Sequence, residues 1–227
     1  MMAPLFFFAL GFVSTFSLTH NKPEGEKMTV LEGLKFIGKR IVKLTPFNLF
    51  ILGFGAVIGP TFGAGPFWNL FQQTMAPCNK YWWTNIAFIS NFYPADFDAK
   101  CMGWSWFLPC YVQLSIALPF LILLFEHLPR IVSNIIFIAL GVASMVVNFI
   151  LIKKGDFGIF LTFDQGTHFN TKFLSELFMK PYFQFTSYLW GVVLCFAYIR
   201  YAREKSGLIP ADVANNSLTS RGMAFIR

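Results

Sequence analysis

IVSNIIFIALGVASMVVNFILI, residues Ile131 to Ile152, runs for 22 residues without an acid, a base or a proline. As a helix it would be about 33 Å long, enough to cross the roughly 30 Å hydrocarbon layer of a bilayer. Four more apolar runs flank it: Pro4 to Thr19, Pro46 to Gly63, Trp104 to Phe125 and Pro181 to Tyr201. The composition agrees. Of 227 residues, 56% are hydrophobic and 13% charged, against roughly 25% charged in an ordinary soluble domain. Thirty phenylalanines exceed what one soluble core of this size would hide, whereas lipid leaves them no need to hide.

These runs predict an all-α integral membrane protein with about five transmembrane helices, near residues 4–19, 46–63, 104–125, 131–152 and 181–201. Residues 1–201 read as a single transmembrane domain and 202–227 as a polar tail. The first run is short enough for a signal-peptide core. No basic residue precedes Phe6, however, and Ser14 to His20 lacks a small-x-small cleavage site, which favours a mature helix.

The basic residues orient the bundle. Twelve lie between the first two runs, at Arg130 or in the tail, and six lie in the two loops on the other side. The positive-inside rule then places the N-terminus outside and the C-terminus inside. A net charge of +7 without a soluble aromatic platform points to anionic lipid head groups as the partner, not nucleic acid.

Between the first two spans, Met28 to Leu44 (MTVLEGLKFIGKRIVKL) reads as one amphipathic helix on the inner surface. Leu31, Leu34, Ile37, Ile41 and Leu44 recur at helical spacing, and Thr29 with Glu32 has the pattern of a capping box. Lys39, Arg40 and Lys43 on it are the expected lipid head-group ligands, and Pro46 is expected to begin the next span. A solvated charged connector is the plainer alternative.

The segment Ala64 to Met102 is too long for a turn and too apolar for disorder, so it must pack on something. Its tryptophans suit an interfacial aromatic belt. Cys78 and Cys101 face the outer side in this topology, where oxidation is permitted. They are expected either as a structural disulfide closing a loop of about 24 residues, stabilising by about 3 kcal/mol, or as two reduced buried thiols. Cys110 and Cys195 lie within spans and read as small apolar fillers. Without Cys-x-x-Cys or Cys/His spacing, neither a metal site nor a cofactor is expected. In the second outer loop, FLSELF (Phe173 to Phe178) reads as a short surface helix, and His168 as a solvated side chain.

Several of these stretches together resemble the acyltransferase-3 superfamily, in its nose-resistant-to-fluoxetine branch. CNKYWWTNIAFISNFYP (Cys78 to Pro94) and CMGWSWFLPCYVQL (Cys101 to Leu114) are similar to C-x-x-YWWTN-x-L-x-I-x-NF-x-P followed by CMGWTWYLA-x-DMQ. FFFALGF resembles DTFFFLSGF, KRIVKLTPFNLF resembles HRYLRLTPLY, and GAGPFW resembles GSGP-x-W. KPYFQFTSYLWGVVLCF resembles KPYTRIGPYLIGLLLGY, so the likeness extends from Pro4 to Phe196.

The resemblance implies a bundle of about ten helices that moves acyl groups, with a catalytic histidine in the helix before DTFFF. This chain begins at the second of those helices. Five polar positions of the family are also altered: its Asp is Pro4, its Ser is Leu10, the Arg of RLTP is Lys43, the acid of DMQ is Tyr111, and the Arg of PYTRIGPY is Gln184. His20, His127 and His168 read as satisfied surface histidines and do not replace the missing base.

The resemblance, corrected for these changes, implies a non-catalytic pseudoenzyme. It would serve as an accessory subunit of a larger membrane assembly, expected among mitochondrial inner-membrane respiratory complexes, with other transmembrane subunits and phospholipid, including cardiolipin, as partners. Endomembrane or plasma membrane is the alternative location. The alternative functions are an acyltransferase whose histidine comes from a partner chain, and a lipid-binding membrane component.

Overall fold

The computed structural model describes residues 3–20, 27–61, 63, 65–154 and 173–207. The described residues are helical, with no strand among them. The long helices are α1 (Ala3–Thr19), α2 (Val30–Gly53), α5 (Phe107–His127), α6 (Arg130–Lys154) and α7 (Pro181–Gly207). Two short ones, α3 (Pro66–Met75) and α4 (Cys78–Ile86), stand between α2 and α5. The chain is thus an all-α integral membrane protein. Gly103–His127, Ile131–Lys154 and Pro181–Ile199 are long and apolar enough to cross a bilayer, and Ala3–Thr19 is a shorter apolar helix.

Contacts set the directions. Phe6 meets Phe107 and Phe16 meets Tyr198, so α1, α5 and α7 run the same way. Gly141 of α6 faces Leu189 and Trp190, while Asn148 bonds back to Phe183 and Thr186, so α6 runs against α7. Phe7 of α1, Leu114, Leu118 and Ile122 of α5, and Tyr188, Leu189 and Val192 of α7 are the centre of the main core.

The α1–α7 seam is the closest in the bundle. A Cβ on Gly11 would lie 2.2 Å from the Tyr188 carbonyl oxygen, and one on Gly191 would lie 2.0 Å from that of Phe8. Backbone meets backbone there, as small residues allow in membranes, where dispersion replaces the hydrophobic effect as the force between helices.

Helix α2 departs from expectation. The capping box forms, with the Thr29 N–H donating to Glu32 Oε2 at 3.0 Å and the Glu32 N–H to Thr29 Oγ1 at 3.4 Å. The helix then continues through Pro46 to Gly53, so the surface helix and the start of the 46–63 run are one element. It extends through a π-helical turn at Phe54–Ile58 and a 3₁₀ turn at Gly59–Thr61. A proline removes one ladder bond, but beyond it Asn48 and Leu52 are buried against Asn85 and the disulfide core, and that packing carries the helix onward.

Residues 65–102 pack through α3 and α4, and this second core joins Leu52, Met75, Met102 and the Cys78–Cys101 pair. FLSELF is a single π-helical turn at Leu174–Phe178 with Leu177 buried.

Candidate anion-binding site at Arg40

Arg40 projects from the middle of α2 into the bundle. Its Nη1 donates to Ser115 Oγ of α5 at 2.8 Å and its Nη2 to Ser14 Oγ of α1 at 2.7 Å. The guanidinium carbon lies 4.4 Å from the Phe36 ring centroid and 5.0 Å from that of Tyr111. Ser115 also donates to the Tyr111 carbonyl at 2.7 Å, leaving its lone pairs for Arg40. The Tyr188 hydroxyl faces Ser14 from α7 and is fully buried.

Ser115 sits 12 residues before His127. At 1.5 Å per residue the guanidinium is therefore roughly 18 Å deep from that end of α5. Arginine keeps its charge at every accessible pH and carries five N–H donors in a fixed fork. Two donors go to hydroxyls here and two faces go to aromatic rings, each such ring being worth about 0.5–2 kcal/mol. This is a preorganised cation within the bundle, suited to a carboxylate or phosphate, and intramembrane charge of this kind marks functional sites.

The predicted head-group trio is not gathered at one point. Lys39 and Lys43 are exposed on the outer side of α2, while Arg40 turns inward. In the sequence Arg40 stands among its basic neighbours. The signal that sets it apart is its spacing: Gly33, Phe36, Arg40 and Leu44 share one helical face, the one that meets α5.

The five positions that the resemblance reads as altered are dispersed. Tyr111 alone lies against Arg40. Leu10 packs on the core, Lys43 is exposed, and Gln184 is fully buried with Nε2 donating to the Phe178 carbonyl at 2.9 Å. Pro4 lines a groove beside Gln184. His20 packs on Phe16, His127 Nδ1 lies 2.9 Å from the Leu123 carbonyl oxygen, and His168 lies outside the described residues.

On the other side of the bundle, Cys78 and Cys101 form a disulfide across 23 positions of sequence. Asn85 organises its surroundings. Its Nδ2 donates to the Cys101 carbonyl at 3.0 Å, its Oδ1 accepts from Ser105 at 3.2 Å, and its carbonyl accepts from Asn48 of α2 at 2.9 Å. Asn91 and Gln113 exchange two amide hydrogen bonds, of 2.9 and 3.0 Å, tying the 87–102 segment to α5.

Two lysines gather that segment's carbonyls. Lys100 donates to those of Ser90 and Pro94, and Lys180 to that of Asn91 at 2.6 Å. Burial and the nearby Lys180 ammonium lower the Lys100 amine to about 8, with Asp96 partly opposing. Lys180 is lowered by burial. The aromatic, amide-rich loop is therefore a latched cap fixed by one covalent and several polar ties. Among the described residues no cluster of three metal-ligating side chains occurs.

Comparison with known proteins agrees with this architecture. Residues 1–213 match the acyltransferase-3 family model, described as an acyltransferase domain. The chain is 25% identical over 162 residues, 70% of its length, to nose resistant to fluoxetine protein 6 of Caenorhabditis elegans. It spans about a fifth (19%) of that relative's length. No solved structure matches. With a family match across residues 1–213 and the motif residues Asn85, Asn91, Gln113 and the paired cysteines each holding the cap in place, the chain belongs to the acyltransferase-3 family of membrane proteins.

Proposed function

We propose that this protein is a non-catalytic, acyltransferase-like accessory subunit of a larger membrane assembly, and that Arg40 holds an anionic group, the carboxylate or phosphate of an acyl-bearing ligand, without driving transfer. The observation that carries this reading is the Arg40–Tyr111 contact of 5.0 Å. Where the family resemblance expects an acid, the guanidinium rests on a neutral ring. A carboxylate there would compensate the arginine and move protons, whereas a ring does neither and leaves the positive charge for a bound anion.

Subunit status is supported by α6, of which little is covered by the other described residues: Ile131, Ile135, Ile138, Val142 and Phe149 are all exposed. Those faces suit neighbouring transmembrane subunits. The mitochondrial inner membrane, within a respiratory-chain assembly, is the proposed setting, with the oxidised cap in the intermembrane space. Lys39 and Lys43 are the proposed contacts for surrounding phospholipid, cardiolipin included.

Family membership favours a second reading, a working acyltransferase whose histidine is supplied by residues beyond those described or by a partner chain. One experiment separates the two. The protein is purified from its native membrane under mild detergent, co-migrating subunits are identified, and acyl transfer is assayed. Stoichiometric partners without transfer support the accessory role. Transfer by the isolated chain, abolished by Arg40→Ala, would overturn it.

A further inference from the structure

A second site lies in the seam between α6 and α7, apart from Arg40. A groove of about 280 Å³ is lined there by Asn134, Phe137, Ile138 and Gly141 of α6 and by Trp190 and Phe196 of α7. Its floor is closed, with Phe137, Leu189 and Phe196 buried. Phe125 braces that floor, stacked on Phe196 with ring centroids 4.0 Å apart and edge-on to Phe137 at 5.3 Å. Its rims stand free, Ile138 at 61% exposure on one helix and Trp190 at 44% on the other. The groove therefore opens sideways, toward lipid.

Three features set it apart from an ordinary lipid-facing seam. A Cβ on Gly141 would meet only Leu189 and Trp190, both at 3.9 Å, an ordinary contact. Packing thus demands no glycine here, unlike Gly11 and Gly191, where backbone meets backbone. A glycine inside a helix costs about 1 kcal/mol relative to alanine, and its missing side chain leaves open depth in the groove. Asn134 is exposed at the groove, and its amide makes no hydrogen bond among the described residues. Further along the seam, by contrast, the unpaired amide oxygens of Asn148 and Gln184 are buried. Trp190 stands level with Gly141, eleven residues or roughly 16 Å from the Arg130 start of α6. That is near the middle of the bilayer, away from the interfaces where tryptophan collects.

Depth orders these features. Asn134 is four residues, roughly 6 Å, from the Arg130 start of α6, and Gly141 lies seven residues, roughly 10 Å, deeper. One neutral polar point therefore sits near the membrane surface, and an apolar bed runs from it toward the bilayer centre. We propose that the α6–α7 groove binds a sterol, its single hydroxyl paired with the Asn134 amide and its fused rings lying over Gly141 between Ile138 and Trp190. A hydroxyl and a carboxamide each donate and accept, so they pair without a counter-charge. A preformed bed with a flat aromatic wall takes rigid rings as they are, whereas an acyl chain must give up rotamer freedom to lie straight in it. This inference rests on the membrane location alone, and not on the accessory-subunit reading or its mitochondrial setting.

The test uses the full chain in phosphatidylcholine nanodiscs with a trace of cholestanol that carries a diazirine on its ring system, irradiated and read by peptide mass spectrometry. Label is expected on the peptides holding residues 134–141 and 189–197, and excess cholesterol should displace it. Gly141→Phe, which fills the groove, should lower labelling at least about tenfold, and Asn134→Leu about fivefold, the loss of one hydrogen bond. Val146→Phe, added bulk on an exposed part of α6 outside the groove, should leave it unchanged. Label spread evenly along α6, or label that persists in folded Gly141→Phe, overturns the proposal. Equal labelling of the same peptides by a phosphatidylcholine with the diazirine in its acyl chain also overturns it, and assigns the groove to bulk lipid. Label distribution and competition are read on the unaltered chain, so they decide the matter even where a variant fails to fold. Because the readout involves neither transfer nor partner subunits, failure here is distinct from failure of the accessory role.

Discussion

Gly11 of α1 and Tyr188 of α7 are so close that a methyl group on the glycine would stand 2.2 Å from the tyrosine's carbonyl oxygen. The reciprocal approach of Gly191 to the Phe8 carbonyl makes the seam symmetric, and it brings Ser14 and Tyr188 beside Arg40.

Gly11→Ala or Gly191→Ala must push the two backbones apart, because the obstructing atom in each case is a carbonyl oxygen and no side chain can turn aside. Overpacking of this kind costs about 1–3 kcal/mol. Gly38→Ala meets nothing within 4 Å and should instead gain up to about 1 kcal/mol from helix propensity. Thermal unfolding in detergent of the three variants should give two losses and one gain. Equal effects at all three positions would contradict the packing.

Arg40→Met should lower stability by a few kcal/mol, about 1–4 kcal/mol. The variant loses two hydrogen bonds to a charged donor, about 1.5–3 kcal/mol each. It also removes an intramembrane charge worth about 2.5–3.5 kcal/mol in the opposite direction, and returns Ser14 and Ser115 to their own helices. A lowered melting temperature in a chain that still folds, together with lost retention of an anionic amphiphile, is the expected pair of results, and a collapse of the fold would assign Arg40 a structural role.

Reduction of the Cys78–Cys101 disulfide opens a loop of 24 residues, counting both cysteines, and should cost about 3 kcal/mol by freeing the unfolded chain. Cys78→Ser with Cys101→Ser should lower the melting temperature, and added reductant should have no further effect on that variant. Asn85 would still hold the Cys101 carbonyl, so the cap loosens without leaving the bundle.

Lys100 makes cap stability depend on pH. Its folded pKa of about 8 lies below the ordinary 10.5, so between those values the unfolded chain binds more protons than the folded one. Stability therefore rises with pH from about 8 to 10.5 and is flat in this respect below 8, with a slope of at most about 1.4 kcal/mol per pH unit. Lys180, lowered by burial, acts in the same direction. Thermal unfolding of the unaltered chain and of Lys100→Met from pH 7 to 10 should show the unaltered chain gaining on the variant as pH rises above 8. A difference between the two that does not change with pH would refute the assignment.

Much of the fold was legible in the residues. The runs at 104–125, 131–152 and 181–201 correspond to α5, α6 and α7 within a few positions at their N-terminal ends, because an uncharged stretch long enough to cross lipid has few other stable forms. The Thr29 and Glu32 pair marked the start of α2 for the same local reason, since both of its bonds lie within one turn. The extent of α2 was not legible. Pro46 is a stop signal on its own, and only the packing of Asn48 on Asn85 and of Leu52 on the disulfide core carries the helix onward.

The candidate site divides in the same way. Cys78 and Cys101 were readable as a pair, but their oxidation required both ends of the cap to fold back together. Arg40 was visible only as one base among several, Lys39 and Lys43 beside it, because charge count carries no direction. What the residue order determined alone was that the chain enters lipid and forms helices, which follows from length and polarity. Only the tertiary structure decided that Arg40 points inward onto Ser14, Ser115 and Tyr111, and that Asn148 and Gln184 leave their oxygens unpaired. Those facts depend on which face of each helix meets which neighbour, a property of contacts between distant segments and not of any one of them.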